Sequence, residues 1–150
     1  MILRERIGYK YIFITHMNIN IELTITNERI ADLLTTALEG GANYWYMIEK
    51  TQEPTAWIST SFPELKKEGH WLCDYPLNPN GALFISNDYC RDEQDKKVTK
   101  KLTLKAIKKG LQIMAQKYPA HFADFIAENE DGSTADVFLQ CCVFGEIVYS

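Results

Sequence analysis

Apolar residues change their spacing along this chain, and that change constrains the fold class more than any other feature. In the first part of the chain they alternate with polar residues, and the segment 19–25 is the clearest case. A period of two is typical of a β-strand with one buried face. In the later part they step by three and four positions, as on one face of an amphipathic helix. The residues of this helical stripe are Leu104, Ile107, Leu111, Met114 and Tyr118. Strands that mostly precede helices predict an α+β fold, with a small, mainly antiparallel sheet packed against about three to four helices.

Local signals predict where these elements begin and end. Thr26 occupies an N-cap position before the first helix, and Gly40-Gly41 ends that helix. Pro119 ends one helix or opens the next. The predicted strands cover 19–25, 44–48 and 82–86, with a short strand at 56–60 and a terminal strand at 147–149. The predicted later helices run from 99, from 119, and from 135 to 144 after a loop at 131–134.

The length of the chain is typical of one domain. It has 150 residues, of which 46% are hydrophobic, and such a chain can bury a core of its own. No apolar run approaches the roughly 20 residues that a membrane-spanning helix needs. A second methionine, Met17, stands just before the alternating segment. Residues 1–16 are therefore either an N-terminal extension to a domain at 17–150, or they carry an extra strand, 9–15, that pairs with 19–25.

Charge is distributed unevenly, although the net charge is only −4. Residues 91–117 hold nine basic and three acidic side chains, whereas residues 118–150 hold six acidic and no Lys or Arg. On a helix that starts at Thr99, one lysine face lies opposite the apolar stripe and consists of Lys101, Lys105, Lys108 and Lys109. Lysines in such a row can contact phosphates, which makes nucleic-acid binding one candidate function. The alternative is a solvated helix face, and the absence of arginine from it disfavours specific base contacts.

Residues with catalytic or metal-binding potential form no recognisable motif. His70-x-x-Cys73 has ligand-like spacing, but a second pair, which structural zinc sites normally supply, is missing. Cys141 and Cys142 lie in an apolar helix, where burial raises a thiol pKa and blunts its reactivity. Phosphate-binding loops and nucleophile elbows are absent from the sequence. We therefore predict no catalytic residues, metal or cofactor, and an enzyme with an unrecognised Cys/His or carboxylate site remains an alternative.

Three consecutive aromatic residues make the segment 43–46 conspicuous. It reads Asn43, Tyr44, Trp45 and Tyr46, and on a strand Trp45 would face away from its two neighbours. Exposed Tyr and Trp side chains are preferred anchors of protein interfaces. We therefore predict that these four residues bind a protein partner. The alternative is that helices cover both faces of the strand and that the three rings belong to the core.

Several segments together resemble one group of small proteins. These segments are EGGANYWY (39–46), YPLNPNGAL (75–83), KYPAHFADFIAEN (117–129) and TADVFLQCCVFGEIVY (134–149). Over about 20–149 the chain resembles small uncharacterised proteins encoded by tailed phages, prophages and conjugative plasmids. The resemblance implies a mobile-element protein in the cytoplasm of a bacterial host. Such proteins often act by binding, as inhibitors of host defence do, and the resemblance assigns no catalytic or binding residue. The resulting prediction is a non-enzymatic accessory protein that binds a protein partner.

Overall fold

The computed structural model describes residues 17–58 and 71–150, and it confirms the α+β fold with strands before most of the helices. In these ranges the helices are α1 (Asn27–Thr36), α2 (Asp74–Leu77), α3 (Leu104–Lys117), α4 (Pro119–Ile126) and α5 (Gly132–Val143). The strands are β1 (Met47–Gln52), β2 (Ala82–Arg91) and β3 (Lys97–Leu102). No helix in the described ranges is long and apolar enough to cross a membrane.

The first helix begins and ends where local signals predict. The Thr26 hydroxyl accepts a hydrogen bond from the backbone N–H of Arg29, which caps α1. After Thr36 the helix continues as one π-helical turn, Ala37–Gly41. A Cβ atom on Gly41 would lie 2.6 Å from the carbonyl oxygen of Gly132. Glycine at position 41 therefore permits a close backbone approach between the end of this helix and the start of α5.

The sheet is antiparallel in the order β1-β2-β3 and presents two different faces. Leu83, Ile85 and Leu102 are almost fully buried and face the helices. Phe84 is paired with Lys50 on one side and with Lys101 on the other, so these three residues share the opposite face. The sheet is therefore covered by helices on one face and carries charged side chains on the other.

The last helix is the centre of the fold. Every residue of α5 from 134 to 141 is buried, so neighbouring elements enclose this part of the helix on all sides. Asp131 caps it by accepting from the N–H of Thr134, and the helix starts at Gly132, three residues before the predicted start at 135. Gly110 of α3 packs directly on Cys142, where an added Cβ would lie 2.3 Å from the sulfur atom. Helices α3 and α5 thus pack with little space between their backbones.

Three sequence predictions of secondary structure are wrong in position or type. The segment 19–25 has no regular secondary structure, because no strand in the described part of the chain pairs with it. Tyr44 and Trp45 lie in a turn, Tyr46 follows it, and the strand starts only at Met47. Residues 99–102 belong to β3 and not to a helix, since their backbone pairs with β2 and α3 begins after its N-cap, Thr103.

Two weaker strand predictions also fail, and two predictions lie outside the described residues. Residues 56–58 and 147–149 form no strand, and 59–60 are not described. The extension or extra strand at 1–16 lies outside the described residues, as does His70. The turn at Asn80-Gly81 and the helix that starts at Pro119 are confirmed.

Candidate functional site

The aromatic segment 43–46 is anchored to α5 by a buried carboxylate. Asp136 accepts a hydrogen bond from the indole N–H of Trp45 at 2.6 Å and another from the Tyr44 hydroxyl at 2.7 Å. The Tyr46 hydroxyl donates to the carbonyl of Leu38 at the end of the first helix. These contacts connect the turn to residues that lie as many as 92 positions away in the chain.

Exposure separates the four residues that the sequence singles out. Trp45 is buried and Tyr46 is half-buried, whereas Asn43 is exposed and Tyr44 retains 53% of its surface. Burial, followed by the hydrogen bond and charge of Asp136, raises the pKa of Tyr44 from 10.0 to about 12. Trp45 therefore belongs to the core, and Asn43 and Tyr44 are the two exposed residues of the segment.

Gln140 extends this network to the end of the chain. Its side-chain N–H groups donate to Asp136 at 3.1 Å and to the carbonyl of Tyr149 at 2.8 Å. Its side-chain oxygen accepts from the backbone N–H groups of Val148 and Tyr149. The Tyr149 ring then stacks on Trp45, with ring centroids 5.8 Å apart. All four hydrogen-bonding positions of this buried amide are used, so it ties the C-terminal residues to α5.

The sequence contains a signal for this network, although neither Asp136 nor Gln140 is among the predicted site residues. Asp136 and Gln140 are polar residues four positions apart within the otherwise apolar run 135–144. Positions i and i+4 lie on the same helix face, so the pair indicates one shared polar site inside the core. What the sequence does not reveal is that Trp45 supplies a donor to this site.

The segment 17–25, at the N-terminal end of the described chain, exposes four large apolar side chains. Met17 is 81% exposed, Ile19 71%, Ile21 75% and Leu23 51%. An open cavity of about 680 Å³ lies between this segment and the helices α3 and α4. Its lining includes Leu111, Ala115 and Phe122 on the helix side.

The four predicted lysines lie on two elements, because Lys101 belongs to β3 and the other three to α3. Lys101 and Lys105 nevertheless line the same open cavity, of about 280 Å³, at the junction of strand and helix. Lys108 and Lys109 are exposed on the helix beyond them. The structure therefore brings Lys101 and Lys105 together, although the prediction placed both on one helix.

Cysteines and histidines do not form a reactive or metal-binding group in the described chain. No cluster of three or more His, Cys, Asp or Glu side chains with metal-binding geometry occurs among the described residues. Cys73, Cys141 and Cys142 are free thiols. Burial raises the pKa of Cys141 to about 11 and holds that of Cys142 well above its ordinary value, as predicted from their apolar helix. The thiolate form needed for nucleophilic attack is therefore scarce at neutral pH.

Three comparisons with known proteins gave no match for this chain. No family model, no curated protein and no solved structure matches it. The resemblance to phage and plasmid proteins stays a prediction, and the function has to be inferred from the surfaces described above.

Proposed function

We propose that this chain acts by binding a protein partner through the apolar segment, residues 17–25. The observation that carries the proposal is the exposure of four large apolar side chains, each 51% or more, within seven consecutive residues. Monomeric proteins rarely expose contiguous apolar patches of this kind, and such patches usually mark a surface that binds a partner. The aromatic segment 43–46 is the weaker surface, because Trp45 is buried.

The form of the segment supports a specific mode of binding. Its residues alternate apolar and polar side chains as a strand does, yet no strand in the described part of the chain pairs with it. An extended segment of this kind can add to the sheet edge of a partner, with main-chain hydrogen bonds supplying affinity and alternate side chains supplying specificity. We infer that the apolar segment binds in this way.

The adjoining cavity supports the same surface. Ile19 and Ile21 border its outer side, and Leu111 and Phe122 border its inner side. A side chain from the partner can enter between them and cover apolar area on both elements. The surface of α3 then contributes to binding without any change in the fold.

The resemblance to mobile-element proteins supports a choice of partner. An accessory protein of a phage or plasmid acts in the cytoplasm of its bacterial host, so we propose a host protein as the partner. A component of a host defence system is the class that such accessory proteins commonly inhibit.

The proposal is tested by affinity capture from bacterial lysate with tagged wild-type protein and single variants. Ile21→Asp places a charge in the centre of the apolar segment and should abolish capture of a discrete protein. Val148→Asp makes the same kind of change at a 49% exposed residue elsewhere and should leave capture intact. Capture should persist from ~100 to ~500 mM salt, since apolar contacts are not screened.

Two results would contradict the proposal. Undiminished capture by Ile21→Asp would show that the apolar segment is not the interface. Loss of capture in Tyr44→Ala alone, with an unchanged melting temperature, would show that the interface lies at the segment 43–46 instead.

A further inference from the structure

A run of lysines without a single acidic residue covers the last strand and the helix that follows it. Residues 96–117 contain eight Lys and neither Asp nor Glu. The whole protein has a net charge of −4, so this positive region and the rest of the chain carry net charges of opposite sign. A local positive field of this kind attracts polyanions even when the net charge does not.

Most of these lysines are not neutralised by neighbouring carboxylates. Lys97 pairs with Glu49, and hydrogen bonds from Lys97 and Ser86 lower the pKa of that glutamate. Within the described ranges, the remaining exposed lysines of β3 and α3 form no ion pair with a carboxylate. Apart from that of Lys117, which donates to the carbonyl of Gly145, their ammonium groups are thus available to an external anion.

An aromatic ring lies among these ammonium groups on the sheet face opposite the helices. The Nζ atom of Lys50 is 4.4 Å from the centre of the Phe84 ring, and that of Lys101 is 5.5 Å from it. Phe84 is only partly buried. The sheet therefore presents a π-surface flanked by two cations.

A cavity continues this surface towards α3. Lys101 and Lys105 line it together with Gln52, Asn80 and Thr103. Its volume of about 280 Å³ and its lysine, amide and hydroxyl side chains suit a phosphate and the sugar attached to it. The lysines, the Phe84 ring and the cavity thus form one surface that extends from the middle of the sheet to α3.

We infer that this face, formed by Lys50, Phe84, Lys101 and Lys105, binds single-stranded nucleic acid. The lysines contact backbone phosphates, and an unpaired base stacks on Phe84 after displacing one ammonium group from the ring. A duplex keeps its bases stacked inside, so it cannot use the ring. Binding is tolerant of base sequence, because lysines contact phosphates as point charges and the face has no arginine for bidentate base contacts.

The test measures fluorescence anisotropy of a labelled oligothymidine of roughly 12 nucleotides, within the site sizes that small single-strand-binding domains cover. Binding should weaken steeply between ~50 and ~200 mM salt as released counterions cease to drive it. Lys101→Glu and Lys105→Glu should each weaken binding about tenfold and reduce the slope of log K against log salt by about 0.7. Phe84→Leu keeps an apolar side chain beneath the lysines and should weaken binding about tenfold through lost stacking.

A matched control separates this surface from net charge. Lys96→Glu makes the same change of charge in the exposed turn between β2 and β3, at the far end of the hairpin, and should change affinity less than threefold. Melting temperatures of all four variants confirm that they are folded. Ile21→Asp should bind the oligonucleotide like the wild type, so this inference and the proposed protein partner can fail independently.

Three results would overturn the inference. One is the absence of binding at ~50 mM salt, where phosphate contacts are strongest. Another is an equal loss of affinity in Lys101→Glu and Lys96→Glu, which would show that the loss depends on net charge and not on the position of the lysine. The third is equal affinity for a duplex of the same length together with unchanged binding by Phe84→Leu, which would exclude stacking.

Discussion

Replacing Gln140 by leucine tests whether the buried amide holds the C-terminal residues on the fold. Leucine is close to glutamine in size, so it fills the site without donating or accepting hydrogen bonds. Three of the four bonds that Gln140 makes go to the backbone of Val148 and Tyr149, and the fourth goes to Asp136. The change therefore removes three of the hydrogen bonds that attach the chain end and keeps most of the packing, while the bonds of Tyr118 to Ile147 and of Asn87 to Tyr149 remain.

The expected loss follows from these bonds. Each contributes about 1 kcal/mol net, so Gln140→Leu should lower the free energy of unfolding by about 3–4 kcal/mol. Release of the chain end also separates the stacked rings of Tyr149 and Trp45. In a chain that ends at Glu146, the same substitution should cost only about 1 kcal/mol, because the bond to Asp136 is then the only one left to lose.

Urea denaturation of the four chains, with and without the substitution and the truncation, measures this difference. A coupling of about 2–3 kcal/mol between the two changes is expected. Equal costs of Gln140→Leu in the full-length and shortened chains would refute the attachment, as would a cost below about 1 kcal/mol in the full-length chain.

Three further predictions concern packing, pH and thiol chemistry. Gly110→Ala should cost about 1–3 kcal/mol because its methyl group would overlap Cys142, whereas Gly40→Ala, with no atom near the added carbon, should be neutral or stabilising in the same melting assay. With the pKa of Tyr44 raised from 10.0 to about 12, the unfolded chain releases that proton first. The stabilisation that Tyr44 contributes should therefore be complete below pH 10 and be lost towards pH 12, and Tyr44→Phe should reduce this loss in denaturation curves at each pH. Cys141 should react slowly with iodoacetamide in the native protein at neutral pH and faster as the pH nears 11, whereas rapid labelling at pH 7, located by mass spectrometry, would contradict its burial.

Local signals predicted the parts of the fold that neighbouring residues control. The caps at Thr26 and the opening of α4 at Pro119 depend on hydrogen bonds and backbone angles within one turn. The stripe on α3 is buried at Ile107, Leu111 and Met114, because helical spacing places apolar residues on one face whatever they pack against.

Strand predictions failed where a distant partner decides the outcome. Segment 19–25 has the alternation of a strand, but alternation specifies which face would be buried and not whether a neighbouring strand is present. Residues 99–102 contain lysines that a helix accepts readily, and pairing with β2 makes them a strand instead. Thr103, the N-cap of α3, is the signal that would have placed the helix start correctly.

Periodicity, local signals and composition were enough to predict the α+β class, the cap at Thr26, the turn at Asn80-Gly81, the apolar stripe of α3 and the lysine-rich region. These features depend on periodicity, backbone preferences and composition, which act over a few residues. Tertiary structure alone decided that Trp45 is a buried donor to Asp136, that Gln140 ties the chain end to α5, and that Lys50 and Lys101 flank Phe84. Each of these arrangements joins residues far apart in the chain, and their free energy arises only after folding has excluded water from the contact.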